Sequence, residues 1–183
     1  IPDIKKRMRD LQDNKVDIIR INETNSAVGN SQALPGKILL SHYPNSRFII
    51  LNPSSKKLES PQLREAIQLL ADPYTLTHGS SVLEKPLYSI IPSDLDPDYP
   101  VTNKPNLGIS ERLTRAEKLL KSVGITHETP LHLTFRVLNQ RPSMLPAERL
   151  AEMAKNYGII LDIKSSDSKE HYEHFFKANY DLS

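Results

Sequence analysis

The sequence has 183 residues, of which 38% are hydrophobic and 25% charged; it contains no cysteine and has a formal net charge of +2. This composition is typical of a globular protein, and a charge so close to neutral argues against a dedicated nucleic-acid surface. The lack of cysteine excludes disulfides, thiolate catalysis and Cys-ligated metals, and since no run of about 18 apolar residues occurs, no membrane-spanning segment is predicted.

The first third of the chain contains one predicted helix and three extended stretches. Residues 3–13 (DIKKRMRDLQD) carry apolar side chains at helical spacing. Residues 16–21 (VDIIRI) form a β-branched run that is typical of a strand. Two further apolar runs, residues 38–40 and 48–51, are separated by a Pro-Asn turn signal. We expect both to be extended.

Next comes a helix that starts, breaks and starts again. Ser60 can cap the first turn, and Pro61 suits the first helical position because its missing N–H is not needed there. Asp72 followed by Pro73 repeats this start signal. The sequence therefore predicts a second short helix with Asp72 as its cap.

A proline-rich stretch follows at residues 84–107. Its five prolines exclude a central strand or a helix, so it is predicted to cover a surface. Within it, Asp94, Asp96 and Asp98 alternate like the start of a calcium loop, but Tyr99 stands where the turn glycine is needed and Pro105 where the bidentate Glu belongs. A solvated turn is the preferred interpretation.

The second half alternates helices and strands. A capping box at residues 114–117 predicts a helix start, and Gly124 predicts its end. Residues 131–138 (LHLTFRVL) alternate like a half-buried strand. The next helix is predicted to carry Leu150, Met153, Ala154 and Tyr157 on one stripe and to end at Gly158.

The last quarter completes the pattern with the strand IILDI, a helix opened by Asp167 and Glu170, and the onset of a strand at NYDLS. The order strand, helix, strand, helix, strand implies an α/β fold. We expect Leu133, Phe135, Ile160 and Ile163 to contribute to its core. On the last helix, the aromatic side chains are expected to face inward; these are Tyr172, Phe175 and Phe176.

Sequence motifs for catalysis are absent. No G-x-S-x-G, Walker-type loop or H-E-x-x-H occurs. His171 and His174 have a spacing that could hold a metal on one helix face, but no third ligand is marked, so a solvated face is the preferred interpretation. We predict no catalytic residue and no metal site.

Read together, RFIILNPSSKKLESPQLREAIQLLADPYTL resembles a signature region of family 5 extracellular solute-binding proteins, the peptide-, oligopeptide- and nickel-binding receptors of ABC importers. That family has an extended segment ending in Asn, a V-R-x-A helix and an A-x-D break, which Asn52, residues 63–66 (LREA) and residues 71–72 match. RAEKLLKSVGI and AERLAEMAKNYGIILDIKS resemble later family elements in the right order. Pro53 and Pro73 depart from the pattern, which indicates a divergent member.

The resemblance implies a lobe like those of type II periplasmic binding proteins, with a mixed sheet flanked by helices. Residues 1–47 would be the end portion of lobe I and the approach to the hinge, and residues 48–183 most of lobe II. In the crossing strand, Phe48 and Ile50 are expected to face the ligand. Three residues are interpreted as structural: Asn52, Arg64 and Asp72.

The implied function is the substrate-binding component of an ABC importer, which binds peptides or similar small solutes between two lobes without a cofactor. Its partners would be the solute and the permease subunits, with no nucleic acid bound through this segment. Its location would be extracytoplasmic, in the periplasm or anchored at the outer face of the inner membrane. The alternative is a ligand-sensing domain of a bacterial transcriptional regulator, which would be cytoplasmic. The third interpretation of the function is an enzyme.

Overall fold

The computed structural model describes residues 4–20, 37, 39, 46–78, 85–92, 95, 96, 98 and 107–183. The helices are α1 (Ile4–Gln12), α2 (Pro61–Leu70), α3 (Pro73–Thr77), α4 (Ile109–Ser122), α5 (Arg141–Lys155) and α6 (Ser168–Phe176). The strands are β1 (Leu131–Leu138) and β2 (Ile159–Ser166), and a short 3-10 turn spans Lys56–Leu58.

The sheet is built around the parallel pair β1 and β2, in which Leu131 lies opposite Ile159 and Leu138 opposite Ser166. Helix α5 connects the two strands. On the other side of β1, Leu182 forms a parallel bridge with Phe135 and an antiparallel bridge with Leu51. The order across the sheet is therefore β2, β1, residues 181–183 (named here the third strand) and residues 49–52. The α/β prediction is confirmed.

One face of this sheet carries the core. Leu133, Phe135 and Val137 of β1 are at most 5% exposed. Helix α5 packs on β2 and β1, while α2 packs against α4 and, more lightly, against α5. Together these elements bury a single apolar cluster; its largest side chains with under 2% exposure are Leu58, Leu70, Leu120, Leu133, Leu150, Ile159 and Leu182.

The core prediction is confirmed for Leu133 and Phe135, and Ile163 packs against the cluster. It is wrong for Ile160. Residues of a strand alternate between faces, so Ile163 shares the core face with Ile159, which is 1% exposed. Ile160 lies opposite His132 on the second face. Because residues 159–161 are all apolar, the sequence does not show which of them face the core.

Helix α4 begins earlier than the capping box predicted. It starts at Ile109 after Gly108, so Thr114 lies inside the helix. The Thr114 hydroxyl donates to the Ser110 carbonyl one turn back, 2.9 Å away, and has no capping role. The predicted end is confirmed, since Gly124 adopts a positive φ of 78°.

The predicted strand at residues 16–21 is wrong over residues 16–20, which have neither helical nor strand structure. A β-branched run becomes a strand only where a partner edge is available. Residue 21 lies outside the described residues. So do Ile38 and Leu40 of the neighbouring extended run; Leu39 between them is exposed. The helix predicted at residues 3–13 is confirmed as α1.

Helix α6 packs on the second face of the sheet, against β1 and β2, and its orientation differs from the prediction. Tyr172 is 53% and Phe176 81% exposed, whereas His171 and His174 are half-buried. The second face of β1 carries His132, Thr134 and Arg136, so it offers a largely polar surface rather than an aromatic pocket. Phe175 is half-buried and stacks on Tyr180, with ring centroids 5.4 Å apart.

The described part of the proline-rich stretch has no helix or strand, as predicted. The Ser89 hydroxyl is buried and donates to the Ile91 carbonyl at 2.6 Å. The Asp98 amide donates to the Asp96 carboxylate at 3.1 Å. This contact within the segment agrees with the predicted turn. Asp94 lies outside the described residues.

Candidate functional site

The carboxyl ends of the parallel strands meet at one edge of the sheet, and this edge is the candidate site. β1 ends at Leu138 and β2 at Ser166. The Asn139 amide donates to the Ser166 carbonyl at 2.8 Å and holds the two ends together. Open α/β sheets bind ligands outside the carboxyl ends of their strands.

The antiparallel segment at residues 48–52 adds a second element to this edge. The Ile50 amide donates to the Ser183 carbonyl at 2.7 Å, and the Ser183 amide donates to the Ile50 carbonyl at 3.0 Å. Leu182 is paired with Phe135, so Ser183 and its partner Ile50 are level with Arg136 of β1. Because the segment runs antiparallel to β1, Phe48 is level with Leu138, where β1 ends. Phe48 is thereby placed at the candidate site.

Side chains of this segment divide into two sets. Ile49 and Leu51 pack against the core, whereas Phe48 is 51% and Ile50 41% exposed. Alternation along an extended chain turns Phe48 and Ile50 to the second face of the sheet. The structure thus leaves the two predicted ligand-binding side chains partly open, and their contact with a ligand stays a prediction.

The side chains of Arg47 and His171 lie beside this edge. Arg47 donates from Nη1 to the Pro142 carbonyl in the first turn of α5, at 3.2 Å. His171 Nε2 lies 3.4 Å from the Ser183 hydroxyl. Burial, together with the charges of Arg136 and His174, lowers the pKa of His171 below its ordinary value. Sequence reasoning missed His171 as a neighbour of the site, because the contact depends on how α6 packs.

The two histidines of α6 have different neighbours. His171 faces Ser183, while His174 lies 3.5 Å from the Glu170 carboxylate and 3.0 Å from the Asn179 amide nitrogen. Within the described residues, no group of three or more His, Cys, Asp or Glu side chains could hold a metal ion. In that same part of the chain, no helix is long and apolar enough to cross a membrane.

Asn52, predicted to be structural, is 4% exposed and joins two distant parts of the chain. Its amide nitrogen donates to the carbonyls of Ala178 and Tyr180, at 2.9 and 2.7 Å. Its side-chain oxygen accepts from the Ser54 amide at 2.9 Å. Every polar atom of this side chain is therefore bonded inside the fold, and none is directed at a ligand.

The other two structural predictions also agree with the geometry. Arg64 donates from Nη1 to the Leu58 carbonyl at 3.0 Å and fixes the 3-10 turn to α2. Asp72 caps α3, because its carboxylate accepts from the Thr75 amide at 2.9 Å. Ser60 caps α2 in the same way, through the Leu63 amide.

Comparison with known proteins matches this architecture. The family model of bacterial extracellular solute-binding proteins, family 5 Middle, matches residues 1–183. The murein tripeptide binding protein MppA of Escherichia coli superposes with a TM-score of 0.79 at 18% identity, over 97% of this chain and 35% of that one. The ABC transporter substrate binding protein CtaP of Listeria monocytogenes gives 0.75 at 19% identity, over 100% and 37%.

NikA from Staphylococcus aureus, solved in complex with Ni(L-His)2, is similar with a TM-score of 0.66 at 26% identity, over 97% of this chain and 37% of that one. No curated protein matches. The chain spans about a third of the length of these solved structures. The matched structures are type II periplasmic-binding-protein-like, as the family resemblance implied. The chain belongs to family 5 of the bacterial extracellular solute-binding proteins.

Proposed function

We propose that this chain forms one wall of the binding cleft in the substrate-binding component of an ABC importer, which holds a peptide or a similar small solute. The partly open pair Phe48 and Ile50 carries this proposal. These side chains lie at the carboxyl edge, on a segment whose alternate residues are anchored in the core. Such a segment can offer apolar contacts to a ligand while its backbone stays fixed.

The domain division follows from the same segment. Residues 1–47 belong to the end portion of lobe I and the approach to the hinge, and residues 48–183 to most of lobe II. Closure of two lobes around a solute needs a few residues that absorb the change in φ and ψ. The chain immediately before Phe48 suits this role, because Ile49 packs against the core and Ile50 is bonded to Ser183.

Peptides are the proposed ligand class, since the similar solved structures include OppA of Haemophilus influenzae in complex with the peptide RPPGFSPFR and the murein tripeptide binding protein MppA. The protein acts outside the cytoplasm, in the periplasm or anchored at the outer face of the inner membrane, and delivers its solute to permease subunits. The matches described above include no transcriptional regulator, so the regulator is not proposed.

Calorimetry on the complete protein tests the function. A mixed pool of peptides two to five residues long and, separately, Ni(L-His)2 are titrated into the wild type and into Phe48→Ala. Full burial of a phenylalanine side chain is worth about 1.5–3 kcal/mol, and a ligand can cover only the exposed half of Phe48, so the variant should bind the peptide pool about fourfold to twelvefold more weakly. Phe176→Ala, another exposed phenylalanine, is the matched control and should bind like the wild type.

Each outcome decides a separate part of the proposal. Absence of peptide binding by the wild type, with tight binding of the nickel complex, would replace peptides as the ligand class. Equal affinity of Phe48→Ala and the wild type would remove Phe48 from the site. Residues 1–183 alone should bind no peptide tightly, because one wall supplies only part of the contacts.

A further inference from the structure

Asp181 is a buried carboxylate at the start of the third strand. It is 8% exposed and accepts three bonds, from the Ser55 hydroxyl at 2.6 Å, the Lys57 ammonium at 3.0 Å and the Thr134 amide at 2.8 Å. One side chain thereby ties the turn after the crossing segment to the third strand and to β1.

Backbone bonds and Asn52 reinforce the same junction. The Asn52 amide donates to the Asp181 carbonyl at 2.9 Å, and the Asp181 amide donates to Thr134 at 3.0 Å. The Asn52 side chain holds the carbonyls of Ala178 and Tyr180. Ala178 adopts a positive φ of 52°, a conformation that non-glycine residues adopt only where the surroundings hold it.

We propose that Asn52 and Asp181, named here the 52–181 clamp, are positioning residues for solute binding. The clamp touches no ligand. It fixes residues 48–52 against residues 181–183, and so it fixes Phe48, Ile50 and Ser183 relative to each other. Lobe closure then bends the chain before Phe48, not within the lobe. This inference rests on the proposed function and assigns a role to two residues outside the contact surface.

The physical reason lies in how the two segments are held together. Besides their backbone bonds, the segments around residues 52 and 181 are joined through the side chains of Asn52 and Asp181. A binding surface has to be held within about 0.5 Å, and the groups behind it provide this support. Two buried polar side chains, each with all its bonds made, supply such support here.

Hydrogen exchange in the complete protein, measured without any ligand, tests the clamp first. Ser55→Ala removes the 2.6 Å bond to Asp181 and leaves the core intact. We expect amide exchange at Ile50, Asn52 and Ser183 to rise about tenfold, the change for losing one hydrogen bond to a charged group. Exchange at Leu131 and Asn139, whose amides join β1 and β2 at its two ends, should change less than twofold.

Asp181→Asn should raise exchange further at the same amides. Its matched control is Asp162→Asn, an exposed aspartate of β2 that undergoes the same charge change. If exchange rises equally at all five amides, or at none, the clamp does not exist as a local unit. Asp162→Asn should leave all five unchanged; an effect like that of Asp181→Asn would assign the result to charge alone.

Affinity for the peptide pool tests the positioning role. We expect Asp181→Asn to bind at least tenfold more weakly and Ser55→Ala two- to threefold more weakly than the wild type, although neither residue contacts solute. Faster local exchange with unchanged affinity would overturn the positioning role. If the wild type binds neither peptide nor Ni(L-His)2, the proposed function fails, while the exchange measurement still decides whether the clamp exists.

Discussion

The carboxylate of Asp72 and the guanidinium of Arg112 form an ion pair inside the lobe, with Oδ1 and Nη1 2.7 Å apart and both side chains 6% exposed. Asp72 also accepts from the Thr75 amide and hydroxyl and from the Tyr88 hydroxyl, at 2.9, 2.8 and 3.3 Å. One carboxylate therefore caps α3, holds α4 and anchors the proline-rich segment.

Asp72→Ala should cost far more stability than a cap alone. Loss of an N-cap costs about 1 kcal/mol, but removal of one partner from a buried ion pair costs about 3–5 kcal/mol because the other charge is left unpaired. Urea unfolding checks this. Asp167→Ala, which removes the exposed cap of α6, is the control at about 1 kcal/mol. Equal losses in the two variants would contradict the role of Arg112.

Acid should destabilise the lobe through Asp72. Burial alone would raise the pKa of Asp72, but the bonds from Thr75 and the charge of Arg112 outweigh it, and the pKa lies below its ordinary value. A lowered folded-state pKa gives stability that is present above the unfolded value of about 3.9 and lost as pH falls through the folded value. Asp72→Asn should flatten the loss between about pH 5 and 2. An identical slope in both proteins would rule this out.

A second pH effect should come from His171. Its pKa is lowered by burial and by the charges of Arg136 and His174, so the folded protein binds this proton more weakly than the unfolded chain. The stability that the neutral ring provides is therefore complete above about pH 6.5 and declines as pH falls toward the folded value. His171→Gln should reduce the drop in melting temperature between about pH 7.5 and 5. An unchanged drop would show that His171 does not titrate in this window.

Gly124 and Gly158 allow the effect of backbone strain to be compared with and without a steric overlap. Both have positive φ, 78° at Gly124 and 81° at Gly158, but a Cβ would meet nothing within 4 Å at Gly124 and would lie 2.5 Å from the Thr126 carbonyl oxygen at Gly158. Gly124→Ala should lower the free energy of unfolding by about 1 kcal/mol. Gly158→Ala should lower it by more than about 2 kcal/mol, since the obstacle is backbone. Similar losses of stability in the two variants would show that the backbone at Thr126 moves away from the added Cβ at little energetic cost.

Local signals explain what the sequence predicted well. Ser60, Asp72 and Asp167 each cap a helix through an amide three residues on, and the glycines after α4 and α5 adopt the positive φ that ends a helix. These features depend on a few neighbouring residues, so a single sequence reveals them. The same holds for the strict alternation of β1, which identified it as a half-buried strand.

Long-range packing explains what was missed. Arg112 pairs with an aspartate 40 positions earlier, and no local sequence pattern at either residue identifies its partner. The aromatic side of α6 faces outward because the second face of the sheet is polar, a property of β1 and not of the helix. In the candidate site, the sequence indicated the segment of Phe48 and Ile50, whereas Asp181 and His171 needed the third strand and α6 to be in place.

The bonds of Asn52 span 126 and 128 positions of the chain. At a synthesis rate of about 5–20 residues per second, the segment around residue 52 leaves the ribosome on the order of 10 s before its partner strand exists. During that interval Ile49 and Leu51 have no sheet to pack into. Such long-range pairing is slow to form and leaves apolar chain exposed, so nascent chains of this lobe should depend on a chaperone until residue 183 has emerged.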